Sequence, residues 1–306
     1  MFIIGHKNPD TDAIVCALIA QEMFEQMGIE AKAIRLGELN KETEFVLNEF
    51  ELEAPELKLE LEAGSQVCLV DHNESSQSID NLENYHLEWI IDHHKFSLNT
   101  ASPLNIRAEA LASTASVLYK MFIENDLEIT KDIACLMLAG IISDTLFFRS
   151  PTTTDIDKQI AYELNKIAGI KDLEKFSLEM FDAKSDLSEF SAKEILTLDY
   201  KVFDFNGKKI NIGVMETTNP KFAFEMKDDL LVAMAQEKRE HGLDGVLFVV
   251  VDILNEKASI LLDSNFEKEI ALKAFNAQEV EENIFDIGNV VSRKKQMVPT
   301  LEKYFG

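Results

Sequence analysis

Basic side chains are in short supply in this chain: 30 lysines and arginines face 55 aspartates and glutamates, giving a formal net charge of -25. Extended contact with DNA, RNA or an anionic membrane takes its affinity from Lys and Arg neutralising phosphates, so this balance argues against such partners. Any anionic ligand must meet a local cationic site instead. Cysteine is scarce as well. Cys16, Cys68 and Cys135 form no CxxC pair and sit in apolar surroundings such as Val67-Cys68-Leu69-Val70, which reads as buried thiols in a reducing compartment. No apolar run is long enough to cross a bilayer, and the start, Met1 to Ile4, meets a polar loop too soon for a signal peptide. The expectation is a cytoplasmic protein with no membrane and no nucleic-acid partner. Internal repeats and low-complexity tracts are missing too.

What is present suffices for two cores. A length of 306 residues exceeds one compact core, and an apolar fraction of 46% can fill two. The first half alternates short apolar runs (Met1 to Ile4, Ala31 to Leu36, Gln66 to Val70, Leu87 to Ile91) with helical patterns, of which Ala13 to Met27 is the first. Near-continuous apolar strands separated by helices predict an α/β domain whose parallel sheet is covered on both faces. Further helices are expected over Ser113 to Glu124, Lys131 to Leu146, Thr152 to Ile167 and Asp172 to Ala183. The polar stretch Ser185-Asp186-Leu187-Ser188-Glu189 is the expected hinge, dividing the chain into residues 1–186 and 187–306. Beyond it, two alternating runs from Tyr200 to Met215 flank Asn206-Gly207, a strong hairpin signal. Gly245 to Leu254 and Lys257 to Asp263 form a second candidate pair, with a helix over Asp228 to Glu240, so the smaller C-terminal domain reads as mixed α+β.

Three predicted strands run into imidazole or carboxylate side chains: Ile4-Gly5-His6, Val70-Asp71-His72-Asn73 and Ile91-Asp92-His93-His94. In open parallel sheets the carboxyl ends of the strands line the ligand crevice, so these groups should converge. After His6 comes Lys7-Asn8-Pro9-Asp10-Thr11-Asp12; Pro9 disfavours helix at Asn8, which leaves a loop carrying Asp10 and places Asp12 at the start of the next helix. A lone Asp there would read as a helix cap. The strand-end histidines and Asp71 shift the balance towards a metal cluster. Asp144 adds a fourth carboxylate, at the end of an apolar helix where it opposes the macrodipole.

If these carboxylates share a pocket, each pair about 4 Å apart repels by about 4 kcal/mol at an effective dielectric of 20. Such a cluster protonates or recruits cations, and two divalent ions about 3.5–4 Å apart could clamp an in-line displacement. Imidazoles from His6 and His93 favour manganese, cobalt or zinc over magnesium, with manganese the best match. His72, Asp92 and Asn73 read as groups that orient ligands. On the cationic side stand Lys184, in Ala183-Lys184-Ser185-Asp186, and Ser292-Arg293-Lys294-Lys295-Gln296, the only run of three basic residues. Such a run is commonly a solvated surface, but here it supplies what an anionic substrate requires.

These six segments, taken in order along the whole chain, resemble family II inorganic pyrophosphatases of the DHH phosphoesterase superfamily. The resemblance implies a DHH domain followed by a DHHA2-like domain, and hydrolysis of pyrophosphate to two phosphates by metal-activated water. It implies that His6 and Asp10 bind one metal, Asp12 and His93 the other, with Asp71 and Asp144 bridging. It also implies that His94, Lys184, Arg293 and Lys294 contact the phosphates, with His94 assisting proton transfer. Because the last three come from the hinge and the second domain, closure of the two domains is expected to assemble the site and exclude water. Two Mn2+ per subunit, replaceable by Co2+, additional Mg2+ brought with substrate, and a homodimer formed through the N-terminal domain complete the implied picture. Two relatives would share the metal motifs, an exopolyphosphatase and an oligonucleotide or cyclic-dinucleotide phosphodiesterase; the acidic chain and the Ser292 to Gln296 segment disfavour the second. A non-catalytic metal or phosphate-binding regulator is the reading from a different class, and no candidate ligand is missing to favour it.

Overall fold

The computed structural model describes residues 1–100, 102–187 and 189–306, and divides into two compact units, Met1–Ala183 and Lys184–Gly306. Ser188, within the expected hinge, lies outside the described residues.

The first unit is built on a six-stranded sheet. Its elements in order are β1 (Phe2–Ile4), α1 (Thr11–Gln26), β2 (Lys32–Arg35), α2 (Lys41–Glu49), β3 (Glu56–Leu57), β4 (Gln66–Val70), β5 (His86–Asp92), β6 (Asn105–Ala108), α3 (Thr114–Glu124), α4 (Lys131–Thr145), α5 (Asp155–Ala168) and α6 (Leu173–Ser185). The strand order is β3-β2-β1-β4-β5-β6 and every pairing is parallel. Alternate residues of β1, β4 and β5 face opposite sides of the sheet and are buried on both, Ile4, Leu69 and Ile90 on one and Ile3, Cys68 and Ile91 on the other. This two-sided burial explains the unbroken apolar runs in the sequence. Helices α1 and α4 pack against one another and are buried around most of their circumference, including Ile14, Ile19, Met23 and Phe24 of α1 and Leu136 to Ile142 of α4. Each such buried aliphatic or aromatic side chain contributes about 1.5–3 kcal/mol.

Register is what matters for the site. Ile4 pairs with Leu69 of β4, and Val70 pairs with Ile91 of β5, so the residues just past these strands emerge at one edge of the sheet. That edge is also where strand order reverses direction, between β1 and β4, the crevice position for ligands in open α/β sheets. Gly5 makes the return from β1 to α1 possible, because a Cβ there would lie 2.8 Å from the Ala13 carbonyl oxygen.

The second unit has α7 (Ala192–Thr197), β7 (Tyr200–Phe205), β8 (Lys208–Thr217), α8 (Pro220–Glu225), α9 (Lys227–His241), β9 (Gly245–Asp252), β10 (Lys257–Leu261), α10 (Asn265–Ala274), β11 (Gln278–Glu281), β12 (Ile284–Gly288) and α11 (Val298–Phe305). Its sheet runs β11-β12-β10-β9-β8-β7, mixed, with β8 and β9 the parallel pair. The expected hairpin turn is there, Asn206 and Gly207 both adopting positive φ, 55° and 83°. Ile210, Ile212 and Val249 pack on one face of this sheet and Val246, Phe248 and Val250 on the other. The chain is thus α/β with a parallel N-terminal sheet and a second, mixed sheet.

All three cysteines are buried free thiols, and no helix among the described residues is long and apolar enough to cross a membrane. Gly5→Ala is expected to destabilise the protein by about 1–3 kcal/mol through overpacking against the α1 backbone. An unchanged melting temperature in that variant would show the β1 to α1 approach to be looser than described.

Candidate metal centre

The edge formed by β1, β4 and β5 gathers all six groups singled out as ligands. His6 follows β1 directly. Its Nε2 lies 3.5 Å from Asp10 Oδ2 and 3.5 Å from Asp71 Oδ2. Asp10 is the N-cap of α1, accepting from the Ala13 amide at 3.0 Å through Oδ1 while Oδ2 faces His6. The capping reading and the ligand reading are therefore compatible on one carboxylate. Asp71 follows β4 in the left-handed region at φ 62°, which Asp tolerates better than most residues. This conformation carries its buried carboxylate between two imidazoles, with His93 Nε2 3.4 Å from Oδ1.

His93 itself is oriented by a backbone carbonyl: Nδ1 donates to Leu111 O at 3.0 Å, which turns Nε2 towards Asp71 and towards Asp144 Oδ2, 3.6 Å away. Asp144 sits one residue from the end of α4. Past it, Leu146, Phe147 and Phe148 take three successive positive φ values of 49°, 49° and 68°. Runs of left-handed non-glycine residues cost of order 1–3 kcal/mol each and gather at functional sites. Asp12, in the first turn of α1, is fully buried and accepts Ser113 Oγ at 2.7 Å and the amides of Thr114 at 2.7 Å and Ala115 at 3.3 Å.

Candidate ligand atoms fall into two main groups, each within 4.8 Å across: His6, Asp10 and Asp71, and Asp12, Asp71, His93 and Asp144. Asp71 belongs to both. Four carboxylates and two imidazoles suit manganese-like ions, and the shared carboxylate suits a pair of them. The surrounding space is shaped for the carboxylates as well: a Cβ on Gly140 of α4 would lie 2.5 Å from Asp12 Oδ1, so only glycine leaves that oxygen room. His94 joins Asp71 and His93 in a third, overlapping group. Its Nδ1 is fixed on Asp92 Oδ1 at 2.9 Å, and that same oxygen accepts the amides of His93 at 2.7 Å and His94 at 3.0 Å. Asn73 Nδ2 donates to the other Asp92 oxygen at 2.6 Å. His72 points its Nδ1 back to Val70 O at 2.9 Å. Asp92 holds the His94 ring and the amides of His93 and His94, and Asn73 holds Asp92, whereas the bond of His72, expected in the same role, goes to the backbone of its own strand.

The electrostatics among these side chains are tense. Burial disfavours charge on His6, yet Asp10 and Asp71 outweigh it and push its pKa up to about 10. His93 is pushed up to about 9 in the same way, burial being overcome by Asp71 and then Asp12. Burial raises Asp12 to about 7, helped by the negative charge of Asp71 and opposed by His93 and the Ser113 hydroxyl. Asp71 remains well below the usual carboxylate range because its bonds to His6 and His93 overcome burial. Protons on the histidines and on Asp12 therefore do, without metal, part of what divalent ions would do.

Lys184, in the last turn of α6, is the first residue of the second unit, to which Arg293 and Lys294 also belong. Lys184 Nζ lies 2.6 Å from Glu216 Oε2. Arg293 opens a π-helical turn, Arg293–Met297; it pairs with Asp199 Oδ1 at 2.6 Å and donates to the carbonyls of Asp199 at 3.1 Å and Ile212 at 3.2 Å. Lys294 follows it in the same turn. Sequence reasoning missed the groups behind the ligands. Thr114 Oγ1 donates to Asp71 Oδ1 at 2.9 Å. Glu42, buried on α2, accepts Thr11 Oγ1 at 2.7 Å and Ser143 Oγ at 2.8 Å, each next to an acidic ligand in sequence. A Ser-Thr pair opening a predicted helix was the one available signal, and it reads equally well as an ordinary cap.

Comparison with known proteins points the same way. A profile of the DHH family N-terminal domain matches residues 1–141 and one of the DHHA2 domain matches residues 178–304. The chain is 47% identical over 308 residues to a Deinococcus radiodurans protein assigned as a manganese-dependent inorganic pyrophosphatase, covering 99% of this chain and 98% of that one. It is 40% identical over 312 residues to the manganese-dependent inorganic pyrophosphatase of Methanocaldococcus jannaschii, covering 99% of each. A crystal structure of a Methanococcus jannaschii protein assigned to family II inorganic pyrophosphatases superposes with a TM-score of 0.85 at 40% identity, covering 100% of this chain and 99% of that one.

The raised pKa values fix the sign of two pH effects. His6, His93 and Asp12 all have folded-state values above their ordinary ones, so their contribution to metal-free stability is complete at low pH and is lost as pH rises through about 7 for Asp12 and about 9 to 10 for the histidines. Metal must displace those same protons, so manganese affinity is expected to strengthen steadily from pH 6 to pH 8 with protons released on binding. Calorimetric titration in buffers of different ionisation enthalpy measures both; pH-independent affinity with no proton release would contradict the assignment.

Proposed function

Because the chain belongs to the manganese-dependent, family II inorganic pyrophosphatases, hydrolases that split pyrophosphate into two phosphates, we propose that it does so at two manganese ions held by His6, Asp10, Asp12, Asp71, His93 and Asp144. The observation that carries this reading is the sharing of Asp71 between two ligand groups. In this proposal His6 and Asp10 would hold one ion and Asp12, His93 and Asp144 the other, with Asp71 common to both; the bridging role expected for Asp144 is dropped, because its carboxylate groups with Asp12 and His93 and not with His6 and Asp10. Co2+ can replace Mn2+, and further Mg2+ arrives with the substrate.

When bound, such ions supply acidification of water and polarisation of phosphoryl oxygens. The chain's own groups do the rest. Thr114 and the two flanking imidazoles keep the Asp71 carboxylate in place. His94, with Nδ1 fixed on Asp92, has its other ring nitrogen left for a phosphate oxygen or a proton in transit. Lys184, Arg293 and Lys294 offset the charge of the transferring and leaving phosphates, Arg293 bidentately and the lysines as point charges. No side chain is required as a nucleophile. The acidic composition supports a small anionic substrate over nucleic acid or membrane, the free thiols support a cytoplasmic location, and the family resemblance supports a homodimer formed through the N-terminal domain.

Metal-stripped protein is expected to regain phosphate release from pyrophosphate with manganese and with cobalt, and to prefer pyrophosphate over tripolyphosphate and over a dinucleotide. A preference for either longer substrate would replace this reading by one of its superfamily rivals. Asp71→Asn should lower turnover by orders of magnitude and weaken metal binding at both positions. Near-normal turnover with full metal content in that variant would refute the shared-carboxylate assignment.

A further inference from the structure

We propose that Asp157, a buried carboxylate on α5 outside the ligand set, is a positioning residue for the metal centre, acting through the turn at Leu111 to Thr114. The inference rests on the reading of Asp12, Asp71 and His93 as metal ligands.

Asp157 is fully buried. Its Oδ1 accepts Ser116 Oγ at 2.6 Å and the Ala112 amide at 3.2 Å; its Oδ2 accepts that same amide at 3.2 Å, the Thr154 amide at 2.9 Å and Thr154 Oγ1 at 2.6 Å. Among the described residues no Lys, Arg or His pairs with it, so a buried negative charge is held by neutral donors alone. Such a charge is costly unless several donors converge on it. The Thr154 contacts are the capping box of α5 and would serve that helix by themselves. Those to Ala112 and Ser116 serve something else, since they reach more than 40 residues back along the chain, separations of 45 and 41.

What they fix is a turn whose residues between them hold three of the ligands. Leu111 O, one residue before Ala112, accepts His93 Nδ1 at 3.0 Å. Ser113, one residue after it, donates its hydroxyl to Asp12 at 2.7 Å. Thr114 donates its amide to Asp12 at 2.7 Å and its hydroxyl to Asp71 at 2.9 Å. One carboxylate thereby sets the position of the backbone segment on which three ligands depend. An amide in its place could not do this: both oxygens accept at least two donors, so the NH2 of Asn would face N–H or O–H groups in either orientation.

The test is calorimetric titration of metal-stripped wild type, Asp157→Asn and Asn165→Ala with manganese, alongside melting curves and far-UV circular dichroism. Asn165 bonds the backbone of Ile170 at the far end of α5, so its replacement loosens the same helix without touching Asp157. The expected result is a folded Asp157→Asn protein that binds manganese about 10–100-fold more weakly, and an Asn165→Ala protein that melts earlier yet binds like wild type. Wild-type-like binding by Asp157→Asn overturns the proposal, as does equal weakening in both variants, which would reduce the effect to helix stability. If Asp157→Asn does not fold, Ser116→Ala is read in its place: weakened manganese binding supports the proposal and unchanged binding overturns it. Failure of the wild type to bind manganese would remove the metal reading itself, an outcome distinct from wild type and Asp157→Asn binding equally well.

Discussion

Mutual repulsion among buried carboxylates is the constraint around which the first unit is organised. Asp12 and Asp71 are buried and share one ligand group with Asp144, while Asp10 lies with Asp71 in the other. Charges this close repel by a few kcal/mol per pair even in a polarisable interior, a sizeable fraction of the roughly 5–15 kcal/mol that keeps a domain folded. Protons on His6 and His93, and in part on Asp12, relieve this. Divalent ions relieve it more completely, because each carries two charges and accepts several oxygens at once.

A cluster under such repulsion must be held from behind, and the hydroxyl and amide donors that meet Asp12 carry no charge. Ser113, Thr114 and backbone amides meet Asp12, and the Thr114 hydroxyl meets Asp71. The Leu111 carbonyl turns His93, and Asp92 turns His94. Hydrogen bonds to an ionised carboxylate are worth about 1.5–3 kcal/mol each, so three of them offset much of the repulsion without adding a cation that would compete with the metal. Gly140 belongs to the same logic. By leaving out a side chain on α4 it lets Asp12 lie against a helix that is otherwise packed with apolar groups.

How much of this could be read from the chain follows from the range of each determinant. Strand ends that carry His6, Asp71 and His93 were legible, because unbroken apolar runs announce a parallel sheet and a parallel sheet announces where its ligands lie. The long helices α1, α4 and α9 were legible for a similar reason, and Asn206-Gly207 marked its hairpin by local chemistry alone. Short elements were not. β3, with two residues, and β6, largely exposed, owe their extended form to pairing with a neighbour and carry no pattern of their own. α2, α10 and the β11 and β12 pair were likewise unforeseen. Glu42 and Asp157 were invisible for another reason: each is a helix-borne acid in a mixed polar stretch, and only the partners 100 or 40 residues away distinguish it from a solvated charge.

Charge accounting carries the argument one step beyond the six ligands. Four ionised carboxylates and two divalent ions sum to zero with neutral imidazoles, so net charge alone would give the loaded centre no attraction for a pyrophosphate anion beyond coordination to the ions themselves. The chain as a whole, at -25, repels it. Ionic screening over about 8 Å at physiological salt hides most of that repulsion and leaves the decision to cations close to the phosphates. Lys184 and Arg293, the cations proposed for this task, are not simply exposed: Glu216 and Asp199 hold them, at 2.6 Å each. A phosphate that takes over such a cation exchanges one anion for another, so the reward is small for a single charge and large for a group of several. On the proposed reading, such an exchange would favour a compact polyanion over a singly charged phosphate ester.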